Sequence, residues 1–147
     1  MPQAAAVLLC LVIGISDGDT LTARCDTPDG PENLKLRLAE IDAPESHQPW
    51  GQRSRQALAA LCLLKQADVH SSGTDRHGRL IARVSCAGVD SSVEQVRTGM
   101  AWVYDRYVVD HKLYEDQQEA QQARVGLWHD EAPVPPWIWR REHRRTQ

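Results

Sequence analysis

The stretch that decides the fold reads Asp17-Gly18-Asp19-Thr20-Leu21-Thr22-Ala23-Arg24-Cys25. It begins with a tight turn and continues with apolar residues at every second position, which is the period of a half-buried β-strand. The turn predicts a hairpin with the preceding strand, which we expect to begin at Cys10. Alternation returns in residues 34–38 and places Arg37 opposite three leucines. It fails at residues 40–41, which predicts a strand end or a bulge of the kind that redirects side chains beside a site.

Helical spacing and further alternation follow in the rest of the chain. Residues 51–65 have apolar residues at helical spacing, and two more helices are predicted at about 92–98 and 110–124. Ser91 or Ser92 is the expected N-cap of the second helix, and Gly126 is the expected C-terminal cap of the third. Strands are predicted near residues 67–70 and 80–86, whereas the proline-rich segment 133–139 is predicted not to be helical. This order predicts an α+β fold in which a small β-barrel carries three helices at one side.

The chain has the size and composition of one globular domain, with 147 residues, 41% of them hydrophobic and 25% charged. We expect that domain to span residues 10–130. Residues 1–9 resemble the apolar part of a signal peptide, and they are either the remnant of such a leader or the start of the first strand. They are too short to span a membrane. Residues 131–147 form a Pro/Trp/Arg-rich C-terminal tail, whose arginine-rich end we expect to be solvated and disordered.

The formal net charge of −3 is unusual for a protein that binds nucleic acid. Four arginines and one glutamate lie in the last eight residues, and the rest of the chain has 13 basic and 19 acidic residues, a balance of −6. The body of the protein therefore has no general charge that would attract a polyanion. Any attraction for phosphate must be local or carried by a metal ion.

The four cysteines, Cys10, Cys25, Cys62 and Cys86, lack the CxxC spacing that is typical of zinc sites. A hairpin that turns at Gly18 brings Cys10 close to Cys25, which leaves Cys62 to pair with Cys86. Two disulfides would favour an exported protein, either periplasmic or secreted. The alternative is a cytosolic protein with four free thiols.

Three carboxylates lie at predicted strand ends: Asp19 in the first turn, and Asp42 and Glu45 in the segment Ile41-Asp42-Ala43-Pro44-Glu45. Loops at strand ends cluster into sites on a rigid scaffold, and two aspartates brought together there suit Ca²⁺ or Mg²⁺. Taken singly, each motif could be no more than a turn. Arg37 lies on the same predicted strand as Asp42, and Arg79 follows a glycine at the start of another strand. Guanidinium groups match the dispersed charge of a phosphoryl transition state. Together these residues indicate chemistry on a phosphate group.

With these motifs the chain resembles the staphylococcal nuclease, or thermonuclease, family. The segments that carry the resemblance, in the family's order, are Asp17-Gly18-Asp19-Thr20, Arg37-Leu38, Ile41-Asp42-Ala43-Pro44-Glu45, Asp75-Arg76-His77-Gly78-Arg79 and Gly126-Leu127-Trp128. The resemblance covers about residues 12–128. It implies a five-stranded OB-type β-barrel with three helices, a single Ca²⁺, and endonucleolytic cleavage of DNA, RNA or both.

Carried over residue by residue, the resemblance makes Asp19 and Asp42 metal ligands, with the backbone carbonyl of Ala43 as a third. It gives Glu45 the task of holding the attacking water, and it gives the two arginines named above the task of binding the phosphate. A cation and two guanidiniums would bind a polyanion locally, which accounts for a nuclease with an acidic body.

Two aromatic positions depart from the family's pattern or match it ambiguously. His77 stands where the best-known member has an aromatic ring near the substrate phosphate, and Tyr107 is our choice for the counterpart of the base-stacking tyrosines. We expect both residues to contact substrate in a protein that acts as a monomer. Position 43 is alanine where that member has threonine, which removes a hydroxyl but keeps the carbonyl.

Two other functions are compatible with this fold. One is a non-catalytic OB-fold module that binds nucleic acid without cutting it. The other is a protein-interaction domain in which the carboxylates only cap turns. A binding module has no need of Glu45 together with both arginines, and an interaction domain would lack a ligand or an arginine. The sequence therefore favours the enzyme.

Overall fold

A closed five-stranded β-barrel forms the centre of the protein in a computed structural model that describes residues 7–144. The strands in chain order are β1 (Val7–Asp17), β2 (Thr20–Thr27), β3 (Gly30–Leu38), β4 (Ile41–Asp42), β5 (Gln66–Thr74), β6 (Leu80–Cys86), β7 (Val89–Asp90) and β8 (Trp102–Val103). The barrel has the order β3-β2-β1-β5-β6, and a parallel pairing of β3 with β6 closes it. The short strand β4 pairs with β8 outside the barrel. The predicted α+β class and five-stranded barrel are confirmed.

Four helices surround the barrel within residues 7–144, one more than predicted. They are α1 (Gly51–Cys62), α2 (Ser91–Arg97), α3 (Lys112–Ala123) and α4 (Pro136–His143), and a 3₁₀ turn at Gly126–His129 precedes α4. The prediction that the proline-rich segment cannot be helical was wrong, because Pro136 is the first residue of α4. Proline is tolerated there, since the first turn of a helix has no internal partner for its N–H group. None of the helices within residues 7–144 is long and apolar enough to cross a bilayer.

The β1–β2 hairpin turns at Gly18, with Asp17 opposite Thr20. Strand β1 begins at Val7, three residues before the predicted start at Cys10. Most of the proposed leader remnant, residues 1–6, lies outside the described part of the chain. The break in alternation after β3 is real: Glu40 has a φ of 73°, and β4 starts at the next residue. This left-handed residue ends the barrel strand and redirects the chain toward Asp42.

Both predicted disulfides are present. Cys10 and Cys25 face each other across the β1–β2 ladder with an S–S distance of 2.06 Å. Cys62, the last residue of α1, bonds to Cys86, the last residue of β6, at 2.09 Å. All four cysteines are buried in the hydrophobic core. The second bridge therefore fastens the first helix to the barrel.

The ends of α2 and α3 differ in detail from the predicted caps. Asp90, rather than Ser91 or Ser92, caps α2: its carboxylate accepts a hydrogen bond from the Val93 amide at 3.1 Å. The two serine hydroxyls are buried and donate to backbone carbonyls instead. Helix α3 ends at Ala123, and Arg124 in the left-handed conformation is its C-cap, rather than the predicted Gly126.

Candidate active site

The first turn places Asp19 at one end of the barrel. Gly18 has no room for a side chain, because a Cβ atom there would collide with the Ser54 hydroxyl. Gln95 is buried and donates a hydrogen bond of 2.9 Å to the Gly18 carbonyl, which ties α2 to the turn. Asp19 itself is 5% exposed, and its Oδ2 accepts a hydrogen bond of 2.8 Å from the Ala43 amide. The turn is thus fixed by tertiary contacts rather than by its own sequence alone.

The carboxylate of Asp42 comes to the same place from β4. Asp42 is 1% exposed and pairs with Trp102 of β8, so the short two-stranded ladder holds its backbone. The Ala43 amide is bonded to Asp19 by the contact described above, which joins the two acidic segments directly. Two buried carboxylates therefore converge although they lie on different strands.

Arg37 connects these two carboxylates. Its Nη2 lies 3.4 Å from Asp19 Oδ2 and 3.4 Å from Asp42 Oδ1. Its Nη1 donates to the carbonyl oxygens of Leu38 at 2.8 Å and Ile41 at 2.9 Å. These four contacts fix the planar guanidinium over the acidic pair. The structure thus brings together three residues that the sequence assigned to one site.

Buried negative charge perturbs the acidic groups. Burial, reinforced by the charge of Asp19, raises the pKa of Asp17 to about 7. Burial and the charge of Asp19 also raise the pKa of Asp42 to about 6, although arginines oppose this shift. Burial acts to raise the pKa of Asp19 as well, but Arg37 and several hydrogen bonds together lower it below its usual value. Burial is thus the main cause of both upward shifts, and the charge of Asp19 adds to it.

Arg79 lies immediately before β6 and approaches Asp19 through Thr20. Its Nε donates to Asp75 Oδ2 at 2.8 Å, and its backbone amide donates to Asp75 Oδ1 at 3.0 Å. Its Nη1 lies 3.5 Å from the hydroxyl of Thr20, which in turn donates to Asp19. The loop that carries Arg79 is thus held by one aspartate, and the guanidinium remains partly exposed at the edge of the cluster.

The side chain of Glu45 lies beside Asp42, and one further arginine joins them. Arg140 of α4 places Nη1 at 2.6 Å from Glu45 Oε1 and 3.0 Å from Asp42 Oδ1. Its Nη2 lies 2.7 Å from Asp42 Oδ2. The expectation of a disordered arginine-rich end was wrong for this residue, because a helix delivers it to buried acidic partners. Arg145 lies outside the described residues.

The two predicted substrate-contacting residues lie at the periphery. His77 is exposed in the loop that precedes Arg79, and its amide donates to Asp75. The ring of Tyr107 is 54% exposed and packs edge to face on Tyr104, with centroids 4.9 Å apart. The hydroxyl of Tyr104, rather than that of Tyr107, approaches Arg140, at 3.4 Å.

Sequence reasoning missed three members of this cluster: Asp17, Tyr104 and Arg140. Asp17 accepts a hydrogen bond of 3.0 Å from the Asp19 amide and was visible in the turn motif. The other two depend on the aromatic packing of α4, in which Trp137 stacks on Tyr104 with ring centroids 5.4 Å apart. The sequence has no local signal for that contact.

The donor set suits a hard divalent cation. Within residues 7–144 no three acidic, histidine or cysteine side chains converge on one point that an ion could occupy. Asp19 and Asp42 would therefore need backbone or water oxygens as further ligands, which Ca²⁺ accepts. The charge balance agrees with this, since four carboxylates meet two guanidiniums. The carboxylates belong to Asp17, Asp19, Asp42 and Glu45, and the guanidiniums to Arg37 and Arg140.

Comparison with known proteins finds relatives that cover most of the chain. A family described as "Staphylococcal nuclease homologue" matches residues 35–130. An "Uncharacterized endonuclease" of Haemophilus influenzae is 42% identical over 92% of this chain and 74% of its own length. A "Micrococcal nuclease" of Shigella flexneri is 38% identical over 88% of this chain and 79% of its own, and "Protein ParB" of Escherichia coli is 37% identical over 97% and 92%. The fold, the convergent acidic site and these similarities establish that the chain belongs to the staphylococcal nuclease family.

Proposed function

We propose that this protein is a nuclease that hydrolyses phosphodiester bonds of DNA, RNA or both with Ca²⁺ as its cofactor. One observation carries the proposal: Arg37 lies 3.4 Å from each of two buried carboxylates, those of Asp19 and Asp42. Binding alone would not require buried acidic groups at a site for a polyanion, because they repel phosphate. Membership of the family, and relatives that include endonucleases, support the hydrolytic activity.

In this proposal, Asp19, Asp42 and the carbonyl of Ala43 hold the cation. Oxygen ligands of this kind match Ca²⁺ in type, and burial keeps both carboxylates in place. A bound Ca²⁺ would act as a Lewis acid toward the phosphate and offset the negative charge of the site. The acidic body of the protein would then no longer prevent a local contact with a polyanion.

The arginines have the task of binding and neutralising the phosphate. Arg37 already has fixed geometry, because two backbone carbonyls accept hydrogen bonds from its Nη1. Arg79 is held by Asp75 through its Nε, and its Nη1 lies 3.5 Å from the Thr20 hydroxyl at the edge of the cluster. Donors that are fixed before substrate binds stabilise developing negative charge most effectively.

Glu45 is the group that we assign to the attacking water. It lies three residues after Asp42, and the intervening Pro44 restricts the backbone. Its side chain is about one-third exposed, in contrast to the buried aspartates, so water can reach it. A carboxylate in this position can orient the water or accept its proton as the oxygen attacks phosphorus, a contribution of typically 10²–10⁴-fold in rate.

The exposed residues His77 and Tyr107 are proposed to contact the substrate outside the phosphate site. Tyr107 is 54% exposed, and a base could stack on its ring without sequence preference. The guanidinium of Arg106 lies over this ring, 5.3 Å from its centroid, and adds a positive charge there. We further propose that the protein is exported, because its two disulfides suit an oxidising compartment. We propose that it acts as a monomer.

The test is digestion of labelled single-stranded DNA, double-stranded DNA and RNA with Ca²⁺ and then with excess chelator. We expect cleavage that depends on Ca²⁺ in the wild type and is abolished by Asp42→Asn. Asp26→Asn, at an exposed position of β2, is the matched control and should cut normally. Tight binding of DNA without any cleavage would refute the proposal and favour a binding module.

A further inference from the structure

Helix α4 places a positively charged side chain, Arg140, at carboxylates that the family's motifs assign to the metal site. Arg140 binds both carboxylate oxygens of Asp42, at 3.0 and 2.7 Å, and the carboxylate of Glu45 at 2.6 Å. The Asp42 carboxylate also receives Arg37, at 3.4 Å. Both oxygens of this carboxylate are therefore engaged. An ion that binds to Asp42 therefore competes with Arg140 for the same two oxygens.

Aromatic packing determines where α4 sits and so where Arg140 points. Trp137, one turn before Arg140, stacks on Tyr104 with an interplanar angle of 6° and packs edge-on against Trp102 at 5.8 Å. Gln48 donates a hydrogen bond of 2.6 Å to the Val134 carbonyl just before the helix. These contacts hold the helix against β8, which is the strand that pairs with Asp42. The placement of Arg140 is thus built into the fold.

The contact can nevertheless open without disturbing the core. The Arg140 side chain is 32% exposed, and α4 is the last helix of the described chain. The residues of α4 after Pro136 are half-buried or exposed. The ends of the arginine can therefore leave the acidic pair by side-chain rotation, while Trp137 keeps the helix in place. A side chain held in this way can cover the carboxylates reversibly, and the fold does not depend on it.

We propose that Arg140 competes with the metal ion for the same carboxylates. In the metal-free protein its guanidinium occupies the carboxylates of Asp42 and Glu45, and a divalent cation must displace it in order to bind. This inference rests on the proposed calcium-dependent function and adds a regulation of the same site. Arg140 would occupy the carboxylates of Asp42 and Glu45 when Ca²⁺ is scarce, and the protein would become active only above a Ca²⁺ threshold set by α4. Removing the competitor must then raise the affinity for Ca²⁺.

Calorimetric titration of Ca²⁺ into the full-length protein, without nucleic acid, tests this directly. Arg140→Gln should bind Ca²⁺ about tenfold more tightly or better, within the usual range of coupling between competing groups. Arg140→Lys keeps the charge but loses the two-pronged contact, so its affinity should fall between those of the wild type and the Gln variant. Arg141→Gln, at an exposed position of the same helix, removes an equal charge and should remain within about twofold of the wild type.

A second variant reaches the same contact from the helix. Trp137→Ala leaves Arg140 unchanged but removes the ring that stacks on Tyr104, so it should also tighten Ca²⁺ binding. Circular dichroism would verify that each variant folds. In cleavage assays, the Ca²⁺ concentration for half-maximal rate should fall in parallel with the calorimetric value.

The outcomes separate this inference from the proposed function. Equal Ca²⁺ affinity of the wild type and Arg140→Gln would overturn the inference while leaving calcium dependence intact. Equal tightening by Arg140→Gln and Arg141→Gln would reduce the effect to general charge and would also overturn it. Failure of every variant to bind Ca²⁺ would refute the proposed function, and the inference with it.

Discussion

Replacing Asp42 by asparagine is expected to abolish Ca²⁺ binding and, in the absence of metal, to make the protein more stable. The substitution keeps the volume of the side chain and removes a charge that is 1% exposed. In the folded protein, burial and the nearby Asp19 raise the pKa of Asp42 from 3.8 to about 6. Its ionised form is therefore disfavoured by folding, even though Arg140 and Arg37 attract it.

The size of the effect follows from the shift in pKa. A rise of about two units at about 1.4 kcal/mol per unit sets an upper value of about 3 kcal/mol for the cost of ionising Asp42 in the fold. Because neighbouring acidic groups share this cost, we expect a gain of about 1–3 kcal/mol, or roughly 3–10 °C in melting temperature. Asparagine is not charged at any pH and does not bear that cost.

The dependence on pH gives the sign of the effect. Between the unfolded pKa of 3.8 and the folded pKa of about 6, the folded chain binds more protons at Asp42 than the unfolded chain does. Wild-type stability should therefore fall, relative to the variant, as the pH rises through this window. The two proteins should be nearly equal at about pH 4, and the variant should be the more stable at pH 7 and 8.

Thermal unfolding followed by circular dichroism, with chelator and intact disulfides, measures this difference between pH 4 and 8. Added Ca²⁺ should raise the melting temperature of the wild type and leave that of Asp42→Asn unchanged. Asp26→Asn, at an exposed position, should behave as the wild type does. A variant that is less stable than the wild type at pH 8, or a gain that is the same at every pH, would refute the reasoning.

Three further predictions concern the catalytic groups and the covalent frame. Arg37→Lys and Arg79→Lys should each slow cleavage by on the order of 10²-fold at saturating Ca²⁺ while Ca²⁺ affinity barely changes, with Arg24→Lys as an exposed control. A near-normal rate would remove that arginine from the mechanism. Glu45→Gln should lower single-turnover cleavage by about 10²–10⁴-fold and leave equilibrium binding of the same DNA intact, so wild-type cleavage would remove Glu45 from the mechanism. Each disulfide should stabilise the fold by roughly 2–4 kcal/mol, and mass spectrometry of protein from its native compartment, after alkylation without reduction, should detect no free thiol; four alkylated cysteines would exclude both bridges.

Local patterns predicted the barrel because each strand carries its own signal. The alternation in residues 20–25 identifies β2 and, through the turn at Gly18, also its partner β1. The failure of alternation at Glu40 marks a left-handed residue that the chain needs in order to leave the barrel. Helix α4 was missed because its prolines were interpreted as breaking a helix, whereas Pro136 starts one. Composition alone did not indicate that Pro136 would be the first residue of a helix.

The candidate site was predictable where its members lie next to strand ends and not where packing supplies them. Asp19, Arg37 and Asp42 converge because β2 and β3 are paired neighbours and β4 follows directly. Arg140 is 98 residues from Asp42, and no periodicity connects the two. Its role depends on the stacking of Trp137 on Tyr104, a contact between two segments whose local sequence is compatible with many arrangements.

The position of Arg140 also bears on how an acidic protein can contact nucleic acid. A site with four carboxylates and two arginines repels a polyanion, and one of those two arginines comes from a tail that seemed separate from the domain on sequence grounds. If Arg140 leaves when a divalent cation binds, the cluster exchanges one positive charge for two and frees a guanidinium beside the phosphate-binding face. The freed guanidinium adds no charge of its own, but it becomes available to contact phosphate, which it cannot do while it is bound to Asp42 and Glu45. An acidic protein can in this way gain affinity for nucleic acid only where and when its metal is bound, so that DNA binding by the wild type should increase with Ca²⁺ more steeply than that of Arg140→Gln.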